Sequence, residues 1–137
     1  MRPSPVRTIL IVDDYPDFVR LLTLILTTRG HNDVVRAASS GREGLALAEQ
    51  ERPDAVLVRL MLAELDGYEI CRRFKAVPAL EHIPILLLAA KAPHDVYPEA
   101  QHCGAAGYLY EPFHPDELIT ALDTVLHGGT YYPLVDN

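Results

Sequence analysis

The chain has 137 residues, 49% of them hydrophobic, and its 12 basic and 19 acidic residues give a formal net charge of −7. This length and composition predict one globular domain with a buried core and exclude a disordered chain. An acidic surface repels nucleic acid and anionic lipid, so no direct binding to DNA or to a membrane is expected. No apolar run reaches the length of a membrane span, and residues 1–5 lack the apolar core of a signal peptide, which predicts a cytoplasmic protein.

Cysteine and histidine do not form a ligand or disulfide pattern in this sequence. Cys71 and Cys103 are too few for a disulfide framework and are interpreted as free thiols, buried or half-buried. The histidines are scattered along the chain, so no metal site built on them is expected. They are His31, His82, His94, His102, His114 and His127.

Five short aliphatic runs, of the kind found in strands covered on both faces, alternate with amphipathic helical patterns. The predicted strands are residues 8–12, 33–37, 55–60, 83–88 and 107–110. The first helix has apolar residues at helical spacing from Phe18, with Pro16 in its first turn and Gly30 at its end. Ser40 and Glu43 have the spacing of a capping box at the start of the second helix.

The third helix has one apolar face, formed by Ile70, Phe74 and Val77. The last helix begins with Asp116 and Glu117 near its positive end and stops at residues 128–129. This alternation predicts an α/β fold, a doubly wound five-stranded parallel sheet with right-handed crossovers and the flavodoxin-like order 2-1-3-4-5. The predicted organisation is an N-terminal extension (1–6), one domain (7–128) and a C-terminal tail or start of a linker (129–137).

Polar or small residues stand where four of the predicted strands end. Asp13 and Asp14 follow the first strand, Arg59 lies at the end of the third, Ala89 follows the fourth and Glu111 follows the fifth. The functional crevice of such a sheet lies at the carboxyl ends of its strands. These side chains are therefore predicted to surround one site.

Three segments carry a family resemblance: ILIVDD (9–14), PDAVLVRLMLAELDGYE (53–69) and YLYEPF (108–113). Together they resemble bacterial response-regulator receivers of (βα)5 fold, and the similarity extends from Arg7 to about Gly128. The resemblance places Asp13 and Asp14 at the acidic pair that binds Mg²⁺ and Arg59 at the phosphoacceptor aspartate. It places Ala89 at the position of the hydroxyl residue, Glu111 at the lysine and Tyr108 at the aromatic switch.

Three of these positions depart from the family's chemistry. Phosphoryl transfer from a histidine kinase needs a carboxylate nucleophile, a divalent cation and donors for the phosphoryl oxygens. Arg59 is always protonated and cannot attack phosphorus, Ala89 offers no donor, and Glu111 repels a phosphoryl group. The resulting hypothesis is a pseudo-receiver that is not an enzyme and needs no cofactor, with Asp13 and Asp14 as a vestigial pair whose place for a cation is taken by the guanidinium. In the alternative, the pair retains its bound Mg²⁺.

Arg59 is predicted to form ion pairs with Asp13 or Asp14, and also with Glu111, in place of both the metal and the lysine. The peptide bond between Glu111 and Pro112 is predicted to be cis, because the matching bond is typically cis in the family.

Ala89 is small, so the ring of Tyr108 is predicted to point inward, as in an activated receiver. In the alternative, a neighbour such as Leu87 or His94 fills the space and Tyr108 stays exposed.

Pro98 falls where the family continues its fourth helix, so that helix is predicted to begin near Pro98 or to be disordered before it. Partners are expected to be proteins of a signalling pathway, a histidine kinase or an effector, or a second copy bound through helix 4, strand 5 and helix 5.

Two alternative functions remain open at this point. One is a phosphorelay receiver that uses a surrogate acid, although neither Asp54 nor Asp66 is expected to reach the pocket. The other is a small flavodoxin-like ligand-binding protein, although the sequence has no glycine-rich phosphate loop.

Overall fold

The computed structural model describes residues 6–29 and 33–134, in which five strands alternate with five helices. The strands are β1 (Arg7–Val12), β2 (Asp33–Ala38), β3 (Ala55–Arg59), β4 (Ile85–Ala89) and β5 (Gly107–Tyr110). The helices are α1 (Pro16–Arg29), α2 (Gly41–Gln50), α3 (Gly67–Ala76), α4 (Pro93–His102) and α5 (Pro115–Leu126). The strand order is β2-β1-β3-β4-β5 and all pairs are parallel, so the predicted doubly wound, flavodoxin-like fold is confirmed.

The core lies on both faces of the sheet, because successive strand residues point to opposite sides. Leu10 and Val58 belong to the cluster that α2, α3 and α4 cover, whereas Ile11 and Leu57 belong to the cluster that α1 and α5 cover. All four side chains are almost fully buried. Burial of each such side chain stabilises the fold by about 1.5–3 kcal/mol, which fixes the positions of the strand ends.

The helix starts follow from local chemistry. The Ser40 side chain accepts the amide of Glu43 at 3.1 Å and caps α2, while the Glu43 carboxylate accepts the amide of Ser39 at 3.2 Å. α5 begins with a capping box between His114 and Glu117. The predicted end of α1 at Gly30 lies outside the described residues.

The prediction for the fourth helix was wrong. α4 is a regular helix over Pro93–His102 with Pro98 inside it. Pro93 occupies the first turn, where a missing N–H removes no intrahelical bond and the fixed φ suits the helix. Pro98 deprives the His94 carbonyl of its helical donor. The helix persists because Val96 and Ala100, on either side of Pro98, are completely buried against the sheet.

Residues 129–134, predicted as a tail or the start of a linker, lie against β5. Tyr131 forms a parallel β-bridge with Gly107 on the edge of β5 that faces away from β4. Of the predicted N-terminal extension only Val6 is described, and it is exposed. Across residues 6–29 and 33–134, the helices are too short or too polar to span a bilayer.

Candidate functional site

The ends of β1, β3, β4 and β5 bring the predicted site residues to one edge of the sheet. Asp13 directly follows β1, Arg59 and Ala89 are the last residues of β3 and β4, and Glu111 directly follows β5. Register places Val12 beside Val58 and Arg59 beside Leu88, so these ends lie in neighbouring strands. The structure joins Asp13, Arg59 and Glu111 through their side chains, whereas Asp14 is exposed.

Arg59 is the centre of the site. Its Nε donates to Oδ2 of Asp13 at 2.9 Å, and its Nη1 donates to Oε1 of Glu111 at 2.7 Å. A longer contact of 3.4 Å joins Nη2 to the second oxygen of Glu111, so this pairing is bidentate. The side chains of Arg59, Asp13 and Glu111 are only 18%, 2% and 17% exposed. The predicted ion pairing is confirmed, with Asp13 as the partner from the acidic pair.

Other polar atoms of Asp13 and Glu111 also form hydrogen bonds within the protein. Oδ1 of Asp13 accepts the backbone N–H of Tyr15 at 3.0 Å, and the Asp13 amide donates to the Ala38 carbonyl at 3.0 Å. The amide of Glu111 donates to the carbonyl of Ala89 at 2.8 Å. Both oxygens of the Asp13 carboxylate therefore have protein partners, which is the usual requirement for a buried charge.

The charge of Arg59 is stabilised by its surroundings. Burial of the guanidinium is the largest single effect and lowers its pKa. The hydrogen bonds and charges of Glu111 and Asp13 together outweigh that effect, and the net shift raises the pKa of Arg59. The guanidinium carbon also lies 4.4 Å from the ring centroid of Phe18, a cation–π arrangement. Sequence reasoning placed Phe18 only on the apolar face of α1 and missed this contact.

Tyr108 lies inward, as predicted. Its side chain is 1% exposed, and its hydroxyl oxygen is 2.9 Å from the Ala89 carbonyl and 2.6 Å from the Lys91 carbonyl. Burial is the main cause that raises the pKa of this phenol well above its ordinary value. The role of Lys91 was missed, because a backbone carbonyl has no sequence signature. The Glu111–Pro112 peptide bond is cis, which also confirms a prediction.

The arrangement does not fit a bound Mg²⁺. A hard divalent cation needs free oxygen ligands, preferably carboxylates. Oδ2 of Asp13 is instead taken by the guanidinium of Arg59, and Oδ1 by an amide. Within residues 6–29 and 33–134, no three His, Cys, Asp or Glu side chains form a group that could hold a metal ion.

The two other acids weighed as phosphoacceptors have structural partners. Asp54 lies just before β3, at the opposite end of the sheet, and its Oδ2 accepts the amide of Thr8 at 2.7 Å. Asp66 caps α3, and its Oδ1 accepts the amide of Glu69 at 2.9 Å. Neither contributes to the network around Arg59.

The fold and the site define a class of protein. A doubly wound (βα)5 domain with an acidic residue after β1, a buried aromatic residue in β5 and a cis-proline turn after it is a receiver. The family model described as "Response regulator receiver domain" matches residues 9–123, and the chain belongs to this family.

Individual relatives agree with this assignment. The chain is 33% identical over 120 residues to Protein PilH of Pseudomonas aeruginosa, covering 88% of this chain and 98% of PilH. It is 36% identical over 120 residues to the transcriptional regulatory protein PhoP of Bacillus subtilis. That match covers 88% of this chain but only 48% of PhoP.

Among solved structures, the receiver domain of sensor histidine kinase PA1611 from Pseudomonas aeruginosa has a TM-score of 0.80 and 28% identity, with 90% of this chain and all of that chain covered. That receiver has a magnesium ion in its active-site cleft.

Proposed function

We propose that this chain is a pseudo-receiver, which acts in two-component signalling by binding protein partners without being phosphorylated. The observation that carries the proposal is the position of Arg59 at the end of β3, with its guanidinium paired to Asp13 and Glu111. A guanidinium has no nucleophilic oxygen, so Arg59 cannot accept a phosphoryl group as an aspartate does. It also neutralises the carboxylates that would otherwise bind a cation.

The state of Tyr108 supports a fixed signalling conformation. In a receiver of the usual kind, the aromatic ring moves inward when the hydroxyl residue moves toward the phosphoryl group. Here Ala89 has no hydroxyl to move, and Tyr108 is buried with its hydroxyl at two carbonyls. The domain thus presents a form like the activated one, with no phosphoryl group required.

The function in this proposal is binding rather than catalysis. The expected partners are a histidine kinase or an effector of the same pathway, in the cytoplasm, and a second copy of the chain through α4, β5 and α5. The net charge of −7 disfavours nucleic acid and membrane surfaces as ligands. Because the chain spans about half of relatives such as PhoP, the activities of those longer proteins are not carried over to it.

The direct test is incubation with acetyl phosphate and Mg²⁺ followed by intact-mass measurement. The wild-type chain is expected to keep its mass. A variant that restores the family pattern, Arg59→Asp with Ala89→Thr and Glu111→Lys, is expected to gain the mass of one phosphoryl group.

The receiver of sensor histidine kinase PA1611 serves as a positive control for the donor. A phosphorylated wild-type chain, with the phosphoryl group mapped to any aspartate, would contradict the proposal and favour a surrogate acceptor.

A further inference from the structure

β5 is the last strand of the sheet, and residues 129–134 lie along its outer edge. We call these residues the strap. The amide of Tyr131 donates to the Ala106 carbonyl at 2.8 Å, and the amide of Tyr108 donates to the Tyr131 carbonyl at 2.9 Å. These two bonds flank Gly107, which pairs with Tyr131 in parallel register. The strap therefore contacts the sheet as an added strand does.

The edge of β5 is shaped for close approach of another backbone. A Cβ atom at Gly107 would lie 2.5 Å from the Tyr131 carbonyl oxygen and 2.8 Å from both Cβ of Tyr131 and Cδ2 of Leu86, so a side chain there would clash with the strap as well as with the core. Absence of a side chain at position 107 thus permits the pairing.

Two tyrosine hydroxyls hold the strap at the residues that follow this bridge. The hydroxyl of Tyr132 donates to the Ala105 carbonyl at 2.6 Å, and the hydroxyl of Tyr97, from α4, donates to the Pro133 carbonyl at 2.5 Å. The rings of Tyr97 and Tyr132 meet edge to face, with their centroids 5.1 Å apart. One anchor belongs to the strap and the other to the folded domain, which allows the two sides to be tested separately.

The strap is joined to the domain by a short and open connection. Gly128 has φ of +88°, and no atom lies within 4 Å of the position that its Cβ would take. Thr130, Pro133 and Leu134 are exposed, whereas Tyr131 and Tyr132 are half-buried. A segment with so few buried contacts opens at a lower free energy than the core strands beside it.

We propose that the outer edge of β5, together with α4, is a strand-addition site for an extended segment carrying adjacent aromatic residues, and that the strap occupies this site in cis. Main-chain bonds at Ala106 and Tyr108 supply affinity, while Gly107 and Tyr97 supply selectivity. A tethered strap has a high effective concentration, so it excludes competing segments until it is released. The site is distinct from the pocket around Arg59, and the inference does not depend on the phosphorylation state of the domain.

Binding of the strap at the edge of β5 also involves Tyr108. Its amide binds the strap, and its hydroxyl binds the end of β4 at Ala89. Release of the strap therefore removes one of the contacts that hold the switch residue.

The first experiment compares amide hydrogen exchange in the full chain and in two variants. Tyr132→Ala removes the anchor on the strap and leaves the site intact. Tyr15→Ala, at a tyrosine that is 61% exposed, is the matched control. Exchange of the Tyr108 and Tyr131 amides is expected to accelerate about tenfold in Tyr132→Ala and not in Tyr15→Ala. The amides of Ile9 and Ile11 in β1 report whether the fold is intact.

The second experiment titrates a synthetic peptide with the sequence of residues 129–134 and follows the backbone NMR signals of Gly107 and Tyr97. Saturable binding to Tyr132→Ala is expected, about tenfold or more tighter than to the wild-type chain, whose own strap competes. Adding Tyr97→Phe to Tyr132→Ala removes the hydroxyl on the domain side and should weaken peptide binding.

If Tyr132→Ala loses its fold, Tyr132→Phe replaces it, since that variant removes only the hydroxyl contact. Equal peptide affinity for the wild type and the strap variant would overturn the inference. So would unchanged Tyr108 exchange or no peptide binding in a folded strap variant.

Discussion

Arg59 and Asp13 are 46 positions apart in the chain, yet Nε of one lies 2.9 Å from Oδ2 of the other. The pair joins the ends of two neighbouring strands, β1 and β3, and Glu111 extends it to the turn after β5. The site holds three acids and one cation, the same balance as the three aspartates and lysine of the family pattern. The cation has moved from the turn after β5 to the end of β3, where it faces the acids directly.

Arg59→Ala is expected to lower the free energy of unfolding by about 2–4 kcal/mol. Removal of one partner of a buried pair costs about 3–5 kcal/mol, and the partial exposure of Arg59 reduces that figure. Arg20→Ala is the control, because the Arg20–Asp17 pair is exposed and should contribute less than about 1 kcal/mol. Urea unfolding at neutral pH measures both. Equal, small losses for the two variants would show that the Arg59 network does not stabilise the fold.

Arg59→Asp is expected to create a need for a cation. The substitution places a third carboxylate beside Asp13 and Glu111, and their mutual repulsion should lower the melting temperature. Added Mg²⁺ should raise it again, because a cation that binds only the folded state stabilises that state. The wild-type chain serves as the control and should show no Mg²⁺-dependent shift. A wild-type melting temperature that rises with Mg²⁺ as much as that of the variant would contradict the assignment of Arg59 as the resident cation.

The fold was predictable because its signal is carried by many residues. Alternating aliphatic runs and amphipathic stretches gave the strand order 2-1-3-4-5, and strand ends were placed within about two residues, a usual error for sequence-based boundaries. The pairing of Arg59 with Asp13 was predictable because both follow parallel strands and so meet at one edge. In each case the regular spacing of apolar residues, or a shared edge of the sheet, determines where the residues lie in the structure.

The features that the sequence did not predict depend on contacts that no regular residue spacing indicates. The cation–π contact of Phe18 with Arg59 requires knowing which residues of α1 face the site. The strap was interpreted as a tail because one bridge at Tyr131 leaves no strand-length pattern. The error at α4 came from treating Pro98 by its local propensity alone, when buried neighbours in the same helix override it.

Pro98→Ala is expected to stabilise the protein. Alanine restores an N–H that can donate to the His94 carbonyl, and proline in a helix interior is about 3 kcal/mol less favourable than alanine. We expect a gain of about 1–3 kcal/mol in the free energy of unfolding. Pro16→Ala is the matched control, since Pro16 is exposed like Pro98 and begins α1, where a proline costs no helical bond, and it should change stability little. Calorimetric melting of the two variants compares them. Loss of stability in Pro98→Ala would mean that the proline ring contributes packing that alanine cannot replace.

Alkaline pH is expected to destabilise the fold through the buried Tyr108 and the half-buried Tyr132. Burial is the main cause that raises the pKa of Tyr108 and of Tyr132 above 10.0. Their stabilising contribution is therefore full below pH 10. It falls as pH rises further, because these phenols ionise first in the unfolded chain. The expected slope is about 1.4 kcal/mol per pH unit for each tyrosine.

Urea unfolding between about pH 9 and pH 11 measures this slope. Tyr108→Phe removes one ionising group and should reduce the slope by about 1.4 kcal/mol per pH unit. Tyr15→Phe, at an exposed tyrosine, should leave it unchanged. A slope that Tyr108→Phe does not alter would show that Tyr108 ionises equally in both states.

Ala89→Thr is expected to disturb the inward position of Tyr108. Ala89 is 2% exposed and Tyr108 is 1% exposed, and both belong to the core cluster beneath α3 and α4. Two added heavy atoms at position 89 must either strain this cluster, at a cost of about 1–3 kcal/mol, or displace a neighbour. Tyr108 is the neighbour with an alternative exposed position in receivers, so we expect its ring to move outward. Its hydroxyl would then leave the carbonyls of Ala89 and Lys91, and the pKa of the phenol would return toward 10.0.

NMR titration of a ring-labelled Tyr108 follows that change directly, and Ala89→Ser is the matched control. Serine supplies the hydroxyl with one heavy atom fewer than threonine, so the ring should stay buried and the pKa should stay raised. Binding of a partner that recognises the inward ring should weaken in Ala89→Thr and persist in Ala89→Ser. A threonine variant could instead keep Tyr108 buried, titrate as the wild type does and bind partners equally well. That result would show that the small side chain at position 89 does not set the position of the Tyr108 ring. The inward ring would then have to be attributed to the strap bond at its amide, which Tyr132→Ala weakens on its own.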